Sequence, residues 1–129
     1  MCSIQVFGVL LGHDSSISEV KYLPAKDILF FASTTEHTEN AYDDGEIGDS
    51  YLGIISNFKS WLASPGLLTV KSEQMLNLTE QDPAFKQQKI EGIAIDWFRR
   101  NIVTLYLVAD NDGDRSELWR FQVSVTPAE

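Results

Sequence analysis

The stretch SSISEVKYL, Ser15 to Leu23, with LFFASTTE, Leu29 to Glu36, is nearly repeated by KIEGIAID, Lys89 to Asp96, and LYLVADND, Leu105 to Asp112. Each copy is an apolar run, a turn, a second apolar run and an acidic end. A third run follows each, SYLGII (Ser50 to Ile55) or SELWRF (Ser116 to Phe121). A strand-turn-strand unit cannot bury its apolar face alone, so the duplication predicts stacked antiparallel sheets. Within the units, Asp27 to Thr34 is apolar on both faces, the pattern of a layer covered on two sides. Glu117 to Val125 alternates, with Trp119, Phe121, Val123 and Val125 against Leu118, Arg120, Gln122 and Ser124, the pattern of a strand wet on one face.

The fold expected from this repeat is all-β: about two antiparallel blades of a β-propeller in one domain spanning 1–129, with units near 13–58 and 89–125. The repeat spacing exceeds that of an ordinary blade, and the excess lies in the acidic stretch after Glu36 and in the Lys59 to Gln88 connection. A propeller closes with about four or more blades, so two leave the ring incomplete. Completion comes either from the rest of a longer polypeptide or from identical chains meeting edge to edge, which would also shield open strand edges.

Composition narrows the function classes. With 129 residues, 43% hydrophobic and 22% charged, the chain has the make-up of a soluble globular domain. Nineteen acidic against ten basic side chains give a formal charge of −9. That field repels phosphate backbones and anionic bilayers, so neither nucleic acid nor membrane is expected as a partner. Cys2 is the only cysteine, which rules out an internal disulfide. The opening MCSIQVFGVLLG is apolar but lacks a basic n-region and a cleavage site, and reads as a strand rather than a signal peptide. No run approaches the roughly 18 apolar residues of a membrane span.

From Glu36 to Asp49 the sequence turns to EHTENAYDDGEIGD, which reads as a long loop of the kind that carries function. Further on, Phe58 to Leu62 suits a helical turn, Leu67 to Leu78 a broken strand, and Asp82-Pro83 the start of a short helix through Gln88. Asn77-Leu78-Thr79 matches the N-glycosylation pattern.

Two segments resemble a known family. Ile90 to Asp96, with its Glu91-Gly92-Ile93-Ala94, followed by LYLVADND, is similar to the phytase-like and esterase-like bacterial propellers. FFASTTEHTENAYDDGEIGDSYLGII, Phe30 to Ile55, looks like an uncharacterised bacterial propeller family. The resemblance implies that this chain corresponds to the last blades of a longer propeller. It also implies carboxylate-held calcium, although a complete phytase site draws on blades beyond these two.

Three chemistries follow from the residues. The carboxylates Asp43, Asp44, Glu46, Asp110, Asp112 and Asp114, with Glu36, Glu39 and Asp49 near them in sequence, are candidate ligands for calcium, a cation that takes six to eight oxygens. The alternative for Asp110 to Asp114 and for Asp43-Asp44-Gly45 is an Asp-Gly hairpin turn. Glu36 and Glu91 are candidate catalytic acids for a phosphate- or carboxyl-ester hydrolase. Trp61, Trp97, Trp119, Tyr42, Tyr51 and Tyr106 are candidates for stacking on a sugar, although strand alternation assigns Trp97 and Trp119 to the core. His13-Asp14-Ser15 reads as a turn, and no nucleophile elbow or zinc-binding helix motif occurs.

Overall fold

A computed structural model of the chain describes residues 8–11, 15–37, 46–63, 66–85, 88–110 and 116–125. Nine strands form within these residues: β1 (Gly8–Leu10), β2 (Ser15–Leu23), β3 (Ile28–His37), β4 (Glu46–Ser56), β5 (Leu67–Thr69), β6 (Met75–Asn77), β7 (Lys89–Arg99), β8 (Ile102–Asp110) and β9 (Ser116–Ser124). They make a four-stranded antiparallel sheet ordered β2-β3-β4-β6, a three-stranded antiparallel sheet ordered β7-β8-β9, and a small parallel pair of β1 with β5. Both repeats therefore fold as antiparallel ribbons in chain order, and the chain is all-β in its main elements.

Why β3 carries apolar residues on both faces is visible in its packing. Ile28, Phe30 and Ala32 point into a cluster shared with Ile93, Val103, Leu105 and Leu107 of the three-stranded sheet. Phe31 faces the other way, with Leu11, Ile55 and Val70, against which Leu29 and Trp61 pack. Each fully buried aliphatic or aromatic side chain of this kind contributes about 1.5–3 kcal/mol. Gly53, directly opposite Phe31 in the β3–β4 register, makes that second layer possible. A Cβ there would stand 1.9 Å from the Phe31 ring, so only glycine lets the ring lie flat on β4.

The two larger sheets approach each other mainly along β2 and β7. Ser18 Oγ on β2 donates to the Ile90 carbonyl of β7 at 2.6 Å, a hydrogen bond that fixes the two strands side by side. Farther out the space between the sheets is filled by a wedge made of α2 (Leu78–Gln81) and the 3₁₀ turn Pro83–Phe85. Leu78 and Phe85 belong to the inter-sheet core, and the Phe85 ring lies 4.6 Å from Trp119 and 6.3 Å, edge-on, from Phe121. Asn77 starts α2 by accepting the Glu80 N–H at 3.2 Å, and Asp82 accepts the Ala84 N–H at 2.9 Å. Of the short helix expected from Pro83 through Gln88, Pro83–Phe85 forms a single 3₁₀ turn, and residues 86 and 87 lie outside the described residues.

At the β2–β3 turn, Asp27 adopts φ 52°, a left-handed conformation that aspartate tolerates. Its carboxylate accepts the Tyr22 hydroxyl at 2.7 Å and the Lys59 N–H at 3.1 Å. The second bond caps α1 (Phe58–Leu62), whose own N-cap, Asn57, makes no side-chain bond to it. One side chain therefore ties the hairpin to the helix packed beneath it.

The structure differs from the sequence reading in two places. Glu36 and His37 extend β3, and Glu46 to Asp49 open β4, so the acidic stretch read as a continuous loop is strand at both ends. Cross-strand pairing supplies backbone bonds that polar side chains alone do not forbid. Trp97 is 42% exposed rather than core, because bulges after Ile90 and Ile95 interrupt the alternation of β7. The outer residues of the glycosylation pattern link α2 to β4: Asn77 Nδ2 donates to Asp49 Oδ2 at 3.1 Å, and Thr79 Oγ1 accepts the Ser50 N–H at 3.3 Å.

Candidate functional site at the acidic end

The two repeats share their direction. Lys26, in the β2–β3 turn, places its ammonium 5.4 Å from the centre of the Phe98 ring, at the end of β7. That contact, a cation–π pair, sets the β2–β3 and β7–β8 turns at one end of the stack. Both β3 and β8 then run away from it, so the pairs His37 with Glu46 and Asp110 with Ser116 close the described strands at the opposite end. Sequence spacing cannot show this, because it depends on how the second ribbon is rotated onto the first.

Several acidic residues lie at this end. Asp49 is exposed on β4, where its N–H donates to Thr35 Oγ1 at 2.9 Å and its carboxylate receives Asn77. Tyr51, two residues on, has its pKa raised by burial first and then by the charges of Asp49 and Glu80, so its hydroxyl holds its proton. On the neighbouring sheet Asp110 stands opposite Lys89 in the β7–β8 register, and Lys89 Nζ lies 3.9 Å from Glu91 Oε1. Glu91 is exposed, on a strand beside β2 rather than in a cleft.

Asp43, Asp44, Asp112 and Asp114, four of the candidate calcium ligands, lie outside the described residues, as does Tyr42. Glu36 and Glu46 are placed as backbone within β3 and β4. Among the described residues no group of three or more His, Cys, Asp or Glu side chains is gathered to hold a metal ion. Of the aromatic candidates, Trp119 packs into the inter-sheet core and Trp61 against the second core. Tyr106 extends to Asp96, donating its hydroxyl at 3.4 Å.

Beneath the acidic end the four-stranded sheet is polar and buried at once. Ser33, Thr34 and Ser50 are buried, with Thr34 and Ser50 directly paired across β3 and β4. Ser50 Oγ donates to the Gln88 carbonyl, tying β4 to the residue that leads into β7. Reading SYLGII as a strand gives no hint of this link, since the partner of Ser50 is 38 residues away.

The model of DUF6910, a family of unknown function, matches residues 5–114, and the chain belongs to that family. No curated protein and no solved structure matches.

Proposed function

We propose that the chain is a pair of propeller-type blades that binds a divalent cation, calcium, through the acidic connections at one end. The observation that carries this reading is the common polarity of the two ribbons. With the β2–β3 and β7–β8 turns held together by Lys26 and Phe98, the connections after His37 and after Asp110 both leave from the far end. Carboxylates spread over two loops become useful to a hard cation only if the loops emerge side by side, because calcium needs six to eight oxygens within one shell. The side-by-side seating of β2 and β7, with the Leu78 and Phe85 wedge filling the space farther out, supports the blade geometry: ribbons in a propeller lie close at their inner strands and diverge outward.

Isothermal titration with calcium, accompanied by thermal melts, tests the reading. Binding heat and a rise in Tm at about millimolar calcium are expected, the range of modest-affinity oxygen sites. Both should weaken in Asp110→Asn. Absence of heat and of any Tm rise in the unaltered protein would remove the cation assignment while leaving the two-sheet architecture as described.

A further inference from the structure

Where the two larger sheets meet beneath the acidic end, their packing turns from apolar to polar. Cross-strand partners share a face, so Thr34 lies on the same side of the four-stranded sheet as its partner Ser50. That side is turned toward the three-stranded sheet. Ala32, two residues before Thr34, belongs to the shared core, and Ser50 Oγ reaches the Gln88 carbonyl at the entry to β7. Gln88 in turn donates its N–H to the Phe85 carbonyl at 3.1 Å, and the Phe85 ring lies 4.6 Å from Trp119 on β9. Thr34, Gln88 and Trp119 therefore line one seam.

Each of these three side chains carries a buried polar atom with no hydrogen-bond partner in the protein: Thr34 Oγ1, Gln88 Oε1 and Trp119 Nε1. Thr34 is only 4% exposed, so bulk solvent does not serve its hydroxyl. Folded proteins satisfy nearly all such groups, either with their own atoms or with an ordered water. Three along one seam call for a common partner. Ser33 Oγ is also buried and unpaired, but it stands on the opposite face of β3, away from the three-stranded sheet.

We propose that the seam holds an internal water that donates to Gln88 Oε1, accepts the Trp119 indole N–H and completes its bonding with the Thr34 hydroxyl. The chemistry of the set selects this ligand. An indole only donates, an amide oxygen only accepts, and a hydroxyl does both. A metal ion has no use for the indole N–H, and an anion is repelled by the amide oxygen. Water both donates and accepts, and a buried water makes about three hydrogen bonds to groups that otherwise lack partners. It also serves the opposite end of the Gln88 amide, should that end face the seam. The bridge joins β3, the entry to β7 and β9, and so fastens one sheet to the other alongside the Ser50 link to Gln88. It is independent of the cation reading, since none of the three groups is a carboxylate.

Water-selective NMR on the full chain, with thermal melts beside it, tests the proposal. In the unaltered protein, solvent should give cross-peaks with the sign of a long-lived water to the Trp119 indole proton and to the Thr34 methyl group. Thr34→Val keeps the shape of the side chain and removes its hydroxyl, so it should weaken the indole cross-peak and lower Tm. Thr34→Ser keeps the hydroxyl and should retain that cross-peak. A hydroxyl with no partner at all behaves in the opposite way: exchanging it for a methyl removes a buried unpaired group and leaves Tm unchanged or higher. Should Thr34→Val misfold, Gln88→Met carries the same comparison from the other side of the seam. Absence of any long-lived water cross-peak to the indole in the unaltered protein, or a Thr34→Val variant that folds and melts no lower, would overturn the proposal.

Discussion

The four-stranded and three-stranded sheets come from similar sequences but are used differently. β3 is sandwiched, with Phe30 buried toward one neighbour and Phe31 toward the other. β8 buries Val103, Leu105, Leu107 and Ala109 on its inner face while Val108 and Ile102 on its outer face remain exposed. What the difference teaches is that position in the stack, more than the strand's own composition, decides which side of a ribbon is core. The inner layer has two neighbours within the chain, and the outer one has a single neighbour.

Glycine substitutions break this comparison most sharply. Gly53→Ala drives a methyl into the Phe31 ring, where 1.9 Å is available, and should cost about 1–3 kcal/mol or more in urea denaturation, as overpacking does. Gly92→Ala should be neutral or stabilise by up to about 1 kcal/mol, since its nearest neighbour is 3.8 Å away. Equal costs at the two positions would show that the sheets are buried alike. Next in size is Asp27→Ala. It removes both the cap on Lys59 and the acceptor for Tyr22, and leaves a left-handed backbone to a residue that disfavours it, for about 1–2 kcal/mol. Unchanged stability would mean that the hairpin and α1 are not coupled through this carboxylate.

The smallest effect is confined to alkaline pH. Tyr22 has its pKa raised by its hydrogen bond to Asp27 first, then by desolvation and by that carboxylate's charge. The folded state therefore keeps a proton that the unfolded state releases above its ordinary tyrosine pKa of about 10. The resulting stability is complete below that value and is lost as pH rises through the folded pKa. Denaturation midpoints of Tyr22→Phe should therefore fall less steeply in this alkaline window than those of the unaltered protein. Parallel declines would show that the Tyr22–Asp27 bond carries no such linkage.

Much of the architecture was legible in the residues. The doubled apolar pattern located β2, β3, β4, β7, β8 and β9, and the alternation of Trp119 to Val125 gave the inward face of β9 correctly. Local patterning carries that information because side chains alternate across a strand with period two. The short α2 was hidden, since Leu78 to Gln81 offers only one turn and its cap, Asn77, sits in a sequence that also spells a glycosylation motif. Trp97 was misplaced because bulges shift the period without leaving a mark in composition. The acidic end was legible as a set of residues but not as a place: that both connections leave from the same end follows from the Lys26–Phe98 contact, between residues 72 positions apart in the chain.

The central claim is that both ribbons stack along β2 and β7 in the same direction. Nuclear Overhauser contacts in the folded protein test it most directly. The account expects cross-peaks between Ser18 and Ile90, whose side-chain-to-carbonyl bond is 2.6 Å, together with contacts from the Phe85 ring to Trp119 at 4.6 Å. Complete networks within each sheet, with no cross-peak from Ser18 to Ile90 or from Phe85 to Trp119, would contradict it.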